Sequence, residues 1–175
     1  MVNFSLKKLL KNFNYNYSED IYISSLNNTE KYRWETINNK EPETIEWIKN
    51  MEEDSIFLDI GANIGVFTFT ALAKGVKQII ALEPFRKNFI TLCRNLEENN
   101  IKNVAAFNFG VAEKAKLVSF SGPNLDSGGA EFNYQSDIYF NEQLSNHSQF
   151  GDVVGSKCAN GSCVLVRINN IPLYS

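Results

Sequence analysis

Histidine, methionine, cysteine and proline are all scarce in this chain: 1 His, 2 Met, 3 Cys and 4 Pro among 175 residues. The single His147 lies in the polar run Ser-Asn-His-Ser-Gln and reads as a surface residue, not as a base or a ligand. Cys158 and Cys163 flank the turn Cys-Ala-Asn-Gly-Ser-Cys, yet no His or further Cys stands beside them. That excludes a four-ligand zinc site there, and no metal is expected. Long hydrophobic runs are missing as well. Nothing approaches the roughly 18–20 apolar residues of a membrane span. The N-terminus has neither an apolar signal core nor a small-residue cleavage site, so a cytoplasmic, reducing setting is the expectation. Positive charge is also in short supply. A net charge of −3 argues against a broad nucleic-acid surface, which needs clustered Lys and Arg.

What is there is ordinary globular material. Hydrophobic residues make up 43% and charged residues 21%, enough for one domain with a core of its own. Residues 1–40 read as a leader with a short helix and a strand at Ile21–Ser24. In its first turns Phe4, Leu9, Leu10 and Phe13 can share one side, with Lys7, Lys8 and Lys11 elsewhere. A basic helix lying on a membrane is one reading and a helix packing on the domain is the simpler one.

From residue 41 to 175 the pattern is more regular. Glu41-Pro42-Glu43-Thr44 opens a helix, with Pro in its first turn, acids suited to the helix dipole, and Ile45, Trp47, Ile48 and Met51 at helical spacing. Ser55–Ile60 is short and almost wholly apolar, as a strand buried on both faces would be. A helix follows over Ile64–Lys74, stopped by Gly75, then a strand over Lys77–Leu82. Phe85–Asn99 predicts a helix facing a core with Phe89, Leu92, Cys93 and Leu96, and Val104–Phe109 a third strand. Strand, helix, strand, helix, strand is half of a doubly wound α/β fold, with the strands side by side in the order third, second, first. Beyond Gly110 the expectation is a β-rich insertion. It has a strand over Lys116–Ser121, a polar loop over 121–136, and a hairpin of 151–157 and 162–168 about Asn160-Gly161.

The most informative stretch is Leu58-Asp59-Ile60-Gly61-Ala62-Asn63-Ile64-Gly65, which joins a buried strand to a helix. Gly61 permits a sharp turn and Gly65 a close approach, and the N–H groups of the new helix can receive a ligand's polar groups. Glu83 ends the second strand, 18 residues after Gly65. A carboxylate there can take hydrogen bonds from both hydroxyls of a ribose. Asn63 stands where a dinucleotide fingerprint needs its middle glycine, and no Walker loop is present. Asp59 would repel a diphosphate but attract an ammonium or sulfonium. Taken singly, each feature has a plain explanation: a turn glycine, a helix cap, a solvated turn acid. Together, each at a strand end, they point to a nucleoside.

The stretches FLDIGANIGVFT and IIALEPFRKNFITLCRNLEENNIKNVAAFNFGVAEK resemble the FkbM family of S-adenosylmethionine-dependent methyltransferases over roughly residues 31–114. The resemblance implies a Rossmann-like class I methyltransferase fold with S-adenosylmethionine as cofactor. It implies that Asp59, Gly61, Ala62, Asn63 and Gly65 line the methionine and ribose side, that Glu83 holds the ribose, that Pro84 and Phe85 lie beside the adenine, and that Asn108, Phe109 and Gly110 reach it from the third strand. It further implies O-methylation of a hydroxyl on a sugar or small metabolite, so a small-molecule or glycan acceptor. No catalytic base is named. Phe132, Tyr134, Tyr139 and Phe140 could border an acceptor pocket or pack the insertion, and packing is the expectation. The family continues into a strand with a lysine–aspartate–x–glutamate–glycine signature that is missing here. The fold is therefore expected to be incomplete, with a homo-oligomer or a completing chain as partner. A fragment that only binds a nucleoside, and a nicotinamide-dependent oxidoreductase, are the competing readings.

Overall fold

A computed structural model of the chain describes residues 1–52, 54–111 and 126–129, together with the backbone of three strands at 116–121, 133–138 and 162–166. At its centre lie three parallel strands, β3 (Ile56–Ile60), β4 (Gln78–Leu82) and β5 (Val104–Phe107), joined by helices α4 (Val66–Lys74) and α5 (Arg86–Glu98). Their spatial order is β3-β4-β5, so the third strand, second strand and first strand are neighbours as expected. This is the Rossmann-like half-unit, with α3 (Pro42–Lys49) leading into it. Leu58 pairs with Ile80 in register, and Ala81 with Ala106.

Successive strand residues face opposite ways. Phe57, Asp59, Ile79 and Ala81 are buried under the helices. On the other face Ile56 and Ile60 are 60% and 56% exposed, and Phe107 is 45% exposed. The expectation that the first strand is buried on both faces is thus corrected: β3 is an edge strand covered on one side only among the described residues.

Helix α4 starts two residues later than expected, because Asn63 (φ 53°) and Gly65 (φ 94°) take the left-handed backbone first. A Cβ on Gly65 would stand 2.6 Å from Leu92 and 3.0 Å from Phe69, so this glycine serves helix–helix contact as well as the turn. Gly75, at φ 97°, ends the helix as expected. In α5 the predicted core face holds only in part. Leu92 and Leu96 are buried, whereas Phe89 and Cys93 are half-buried. Three polar residues, Asn88, Thr91 and Asn95, are buried in their place.

The leader explains that exchange. It forms β1 (Val2–Ser5), α1 (Leu6–Leu9), β2 (Tyr22–Ser25) and α2 (Asn28–Glu35), with β1 and β2 antiparallel. Asn95 accepts from the Ser24 N–H at 2.8 Å and donates to the Ser24 carbonyl at 3.3 Å. Asn99 does the same for Tyr22, at 2.8 Å each way. Two side-chain amides one helical turn apart thereby satisfy the free edge of β2. Leu6, Leu10, Ile21, Ile23 and Trp34 join the central core, and Trp34 meets Phe69 edge-on at 5.9 Å. With Leu6 and Leu10 buried, α1 packs on the domain.

The third predicted strand is two. It breaks at Asn108, and β6 (Phe109–Val111) enters a second sheet with β7 (Lys116–Ser121), β8 (Asn133–Ile138) and β9 (Ser162–Val166), ordered β6-β9-β7-β8. β8 corrects the expectation of a loop through residue 136. β9 lies antiparallel to β7 and parallel to β6. Its expected hairpin partner at 151–157, with His147, Cys158, Phe132, Tyr139 and Phe140, lies outside the described residues.

Candidate functional site

The carboxyl ends of β3 and β4 set the site. From β3 the chain turns at Gly61 (φ 80°), where a Cβ would meet nothing within 4 Å, so backbone freedom alone calls for glycine. The N–H groups of Gly61 and buried Ala62 donate to the Leu82 carbonyl at 2.8 and 3.0 Å, which ties the loop to the end of β4. Asp59 is buried beneath the loop. One of its oxygens accepts from the Thr68 hydroxyl at 2.5 Å, and it also takes the Thr68 N–H. Gly65, the N-cap of α4, has no side chain to cap the helix, so Asp59 does that work from the strand. Burial raises its pKa, opposed by the two Thr68 bonds.

Glu83 is the hub. It is 4% exposed and accepts the Asn63 N–H at 2.6 Å on one oxygen and the Phe85 N–H at 2.7 Å on the other. The Asn88 side chain donates to it as well. Burial pushes its pKa up to about 7, with the N–H groups of Phe85 and Asn63 and the Asn88 amide pulling down and the charge of Asp59 pushing up. One carboxylate thus staples the glycine loop to the start of α5. Asn108 donates to the carbonyls of Glu83 and Pro84 at 2.8 and 3.1 Å, fixing the same turn from the third strand. Phe85 is buried and Pro84 half-buried at the head of α5. Gly110, two residues beyond Asn108, is buried opposite Leu165 in the second sheet.

The structure therefore gathers Asp59, Gly61, Ala62, Asn63, Gly65, Glu83, Pro84, Phe85 and Asn108 at one end of the sheet. It adds groups that the sequence reading missed. The segment Asp126–Gly129 straps across the same end. Its Gly129 carbonyl accepts from the amides of Asn63 at 2.7 Å and Asn88 at 3.3 Å, and the Gly128 N–H donates to Asn88 at 2.7 Å. Ser127 bonds Thr91 at 2.6 Å, and the Gly128 carbonyl accepts from Arg33 Nε. Gly128, at φ 89°, leaves no space for a Cβ, which would stand 2.9 Å from the Glu30 nitrogen. Arg33 comes from α2, and Glu41 precedes α3. With Ile37, Lys40, Val66 and Phe67 they line a cavity of about 30 Å³ beside the first turn of α4. Burial lowers the Arg33 pKa, opposed by the charges of Glu83 and Glu41. A buried polar stripe on α5 and a Ser-Gly-Gly run were the only sequence signals of the strap. Nothing local marked Arg33.

No cluster of three or more His, Cys, Asp or Glu able to hold a metal occurs among the described residues, and no described helix is long and apolar enough to cross a membrane.

No family model matches the chain, and no curated protein matches it. Part of it is similar to Pyrococcus horikoshii TYW2 in complex with MeSAdo, at 18% identity over 52% of this chain and 33% of that one, TM-score 0.37. A candidate RNA methyltransferase of the same organism is similar at 23% identity over 42% and 36%, TM-score 0.34. A candidate transferase of that organism is similar at 20% identity over 52% and 33%, TM-score 0.36. The matched part spans about a third of each of these proteins, and the likeness concerns the fold alone.

Proposed function

We propose that the chain binds S-adenosylmethionine and belongs to a methyltransferase acting on a hydroxyl of a sugar or small metabolite. The observation that carries this reading is Glu83, a carboxylate at the end of the second parallel strand, bonded to the glycine-loop nitrogen of Asn63. An ionised carboxylate has about four acceptor positions. Two are filled by the backbone donors and one more by the Asn88 amide, which leaves an acceptor for the ribose and an N–H staple that holds it in place.

A dinucleotide suits the loop less well. Asn63 occupies the place of the middle glycine, and its amide is engaged with Gly129. Asp59 adds a buried acid behind the loop, unsuited to a diphosphate and suited to a cation. The bound cofactor would supply an activated methyl group, and the protein's task is alignment. Of the chain's own residues, Glu83 orients the sugar, and Asp59 fixes the first turn of α4 against which the amino-acid end lies. Phe85 and Pro84 offer an apolar edge to the base. A cytoplasmic setting is part of the proposal.

A second reading is favoured by one observation, the face and edge of β3 left uncovered among the described residues. On that reading the chain is a nucleoside-binding unit that acts only when another polypeptide completes the sheet.

Calorimetric titration with S-adenosylhomocysteine tests the proposal. Binding that falls by at least about tenfold in Glu83→Ala is expected, the loss of charge-assisted hydrogen bonds of roughly 1.5–3 kcal/mol. Tighter binding of NAD than of S-adenosylhomocysteine would sink it.

A further inference from the structure

Arg33 has a place in the site that the glycine loop and Glu83 do not account for. Its neighbour Trp34 is fully buried and anchors α2 in the core, so the arginine's Cα is fixed. Its Nε donates to the Gly128 carbonyl, which orients the guanidinium plane. The two η nitrogens donate to no described residue, although the side chain is largely withdrawn from solvent. They are part of the lining of the cavity of about 30 Å³ that ends at Val66 and Phe67, the first two residues after the glycine loop. That is space for one or two water-sized groups. The arginine could be held to the strap by its Nε alone, so the free half of the fork lacks a structural task. Two parallel N–H donors in a plane match the two oxygens of a carboxylate. The same lining holds Glu41, a negative charge, and Lys40, a second cation. Two cations and one acid lining a single cavity beside a helix start fit a zwitterion.

We infer that Arg33 binds the carboxylate of the ligand's amino-acid end in this cavity, with Glu41 on the ammonium side. The inference rests on the nucleoside reading and extends it from the ribose to the far end of the ligand. Arg33 is then the residue that distinguishes a thionucleoside carrying an amino acid on its sulfur from a thionucleoside with no amino acid attached. The strap Asp126–Gly129 is its positioning element, because it holds Nε and so aims the fork.

Two ligands separate this role from the others. S-adenosylhomocysteine carries the amino acid, and 5′-methylthioadenosine keeps the nucleoside and the sulfur without it. The wild-type chain is expected to bind the first more tightly. Arg33→Gln is expected to weaken S-adenosylhomocysteine by about 10- to 100-fold, the loss of a charge-assisted bidentate pair, and 5′-methylthioadenosine by less than about threefold. Arg33→Lys, which keeps charge but not the fork, should fall between, and thermal melts check that both variants fold. Glu83→Ala should weaken both ligands alike. Equal losses for both ligands in Arg33→Gln would overturn the inference, since the arginine would then act through the fold or the strap. No loss for either would overturn it too. Failure of the wild-type chain to bind either ligand would overturn the nucleoside reading and this inference with it.

Discussion

Glu83 is the residue on which pH should act. Its pKa stands near 7 in the folded chain against 4.5 for the free side chain. In the window between those values the folded state holds a proton that the unfolded state has released. Stability therefore falls as pH rises from about 4.5 to about 7, and the stabilising contribution of the protonated form is complete only below that window. The shift corresponds to up to roughly 3 kcal/mol, an upper figure because it is governed by burial. Denaturant titrations at pH 4.5, 6 and 8 should show the decline, and Glu83→Gln should flatten it. Nucleoside binding should run the opposite way. A ribose donates to an ionised carboxylate, so affinity for S-adenosylhomocysteine should rise through pH 7 in the wild type and stay level in Glu83→Gln. The carboxylate's position was legible in the sequence, as the acid closing a second apolar strand. Its coupling to Asn63, Asn88 and the strap was not, since three of those contacts come from residues 20 to 66 positions apart along the chain.

At the scale of elements, apolar runs and glycines could be read directly, and polar packing could not. β3, β4 and α4 show themselves by Ile, Leu and Phe bounded by Gly61, Gly65 and Gly75. Helix α5 was placed correctly, but most of its buried face is Asn88, Thr91 and Asn95, residues that a hydrophobic pattern assigns to solvent. They are buried because each has specific partners: the strap for Asn88, Glu30 and Ser127 for Thr91, and Ser24 for Asn95. β8, Asn133–Ile138, was missed because its sequence is polar. If the amides of α5 hold the leader, Asn95→Ala should leave the Ser24 N–H without its Asn95 partner and weaken its carbonyl's bonding. A cost of about 2–4 kcal/mol is expected, two hydrogen bonds of a buried group plus a small void. Urea unfolding measures it. Hydrogen exchange at Ser24 should rise selectively, and unchanged exchange there would mean that β2 is held by β1 alone.

Among the described residues the central sheet is covered on one face only, and that asymmetry can be weighed by mutation. Phe57 and Ile56 are adjacent on β3 and similar in character, yet one is 3% exposed under the helices and the other 60% exposed on the opposite face. Burial, not composition, decides what each contributes. Phe57→Ala should cost about 3–5 kcal/mol, the usual range for emptying an aromatic from a packed core. Ile56→Ala should cost under about 1 kcal/mol, because little apolar area leaves water when the strand pairs. Equilibrium unfolding of the two variants gives the ratio. The sequence could not show this, since a run of Ile, Phe, Leu and Ile reads the same whether one face or two are covered, and the partner of the second face need not be near in the chain. A large penalty for Ile56→Ala would mean that this face is covered in solution, by a part of the chain outside the described residues or by a second polypeptide. A small one leaves the helix-covered face as the sole foundation of the site. The glycine loop and Glu83 then depend on Phe57, Phe69 and Leu92 beneath them, and loss of that packing should reach ligand affinity even though none of the three has a polar group to offer the ligand.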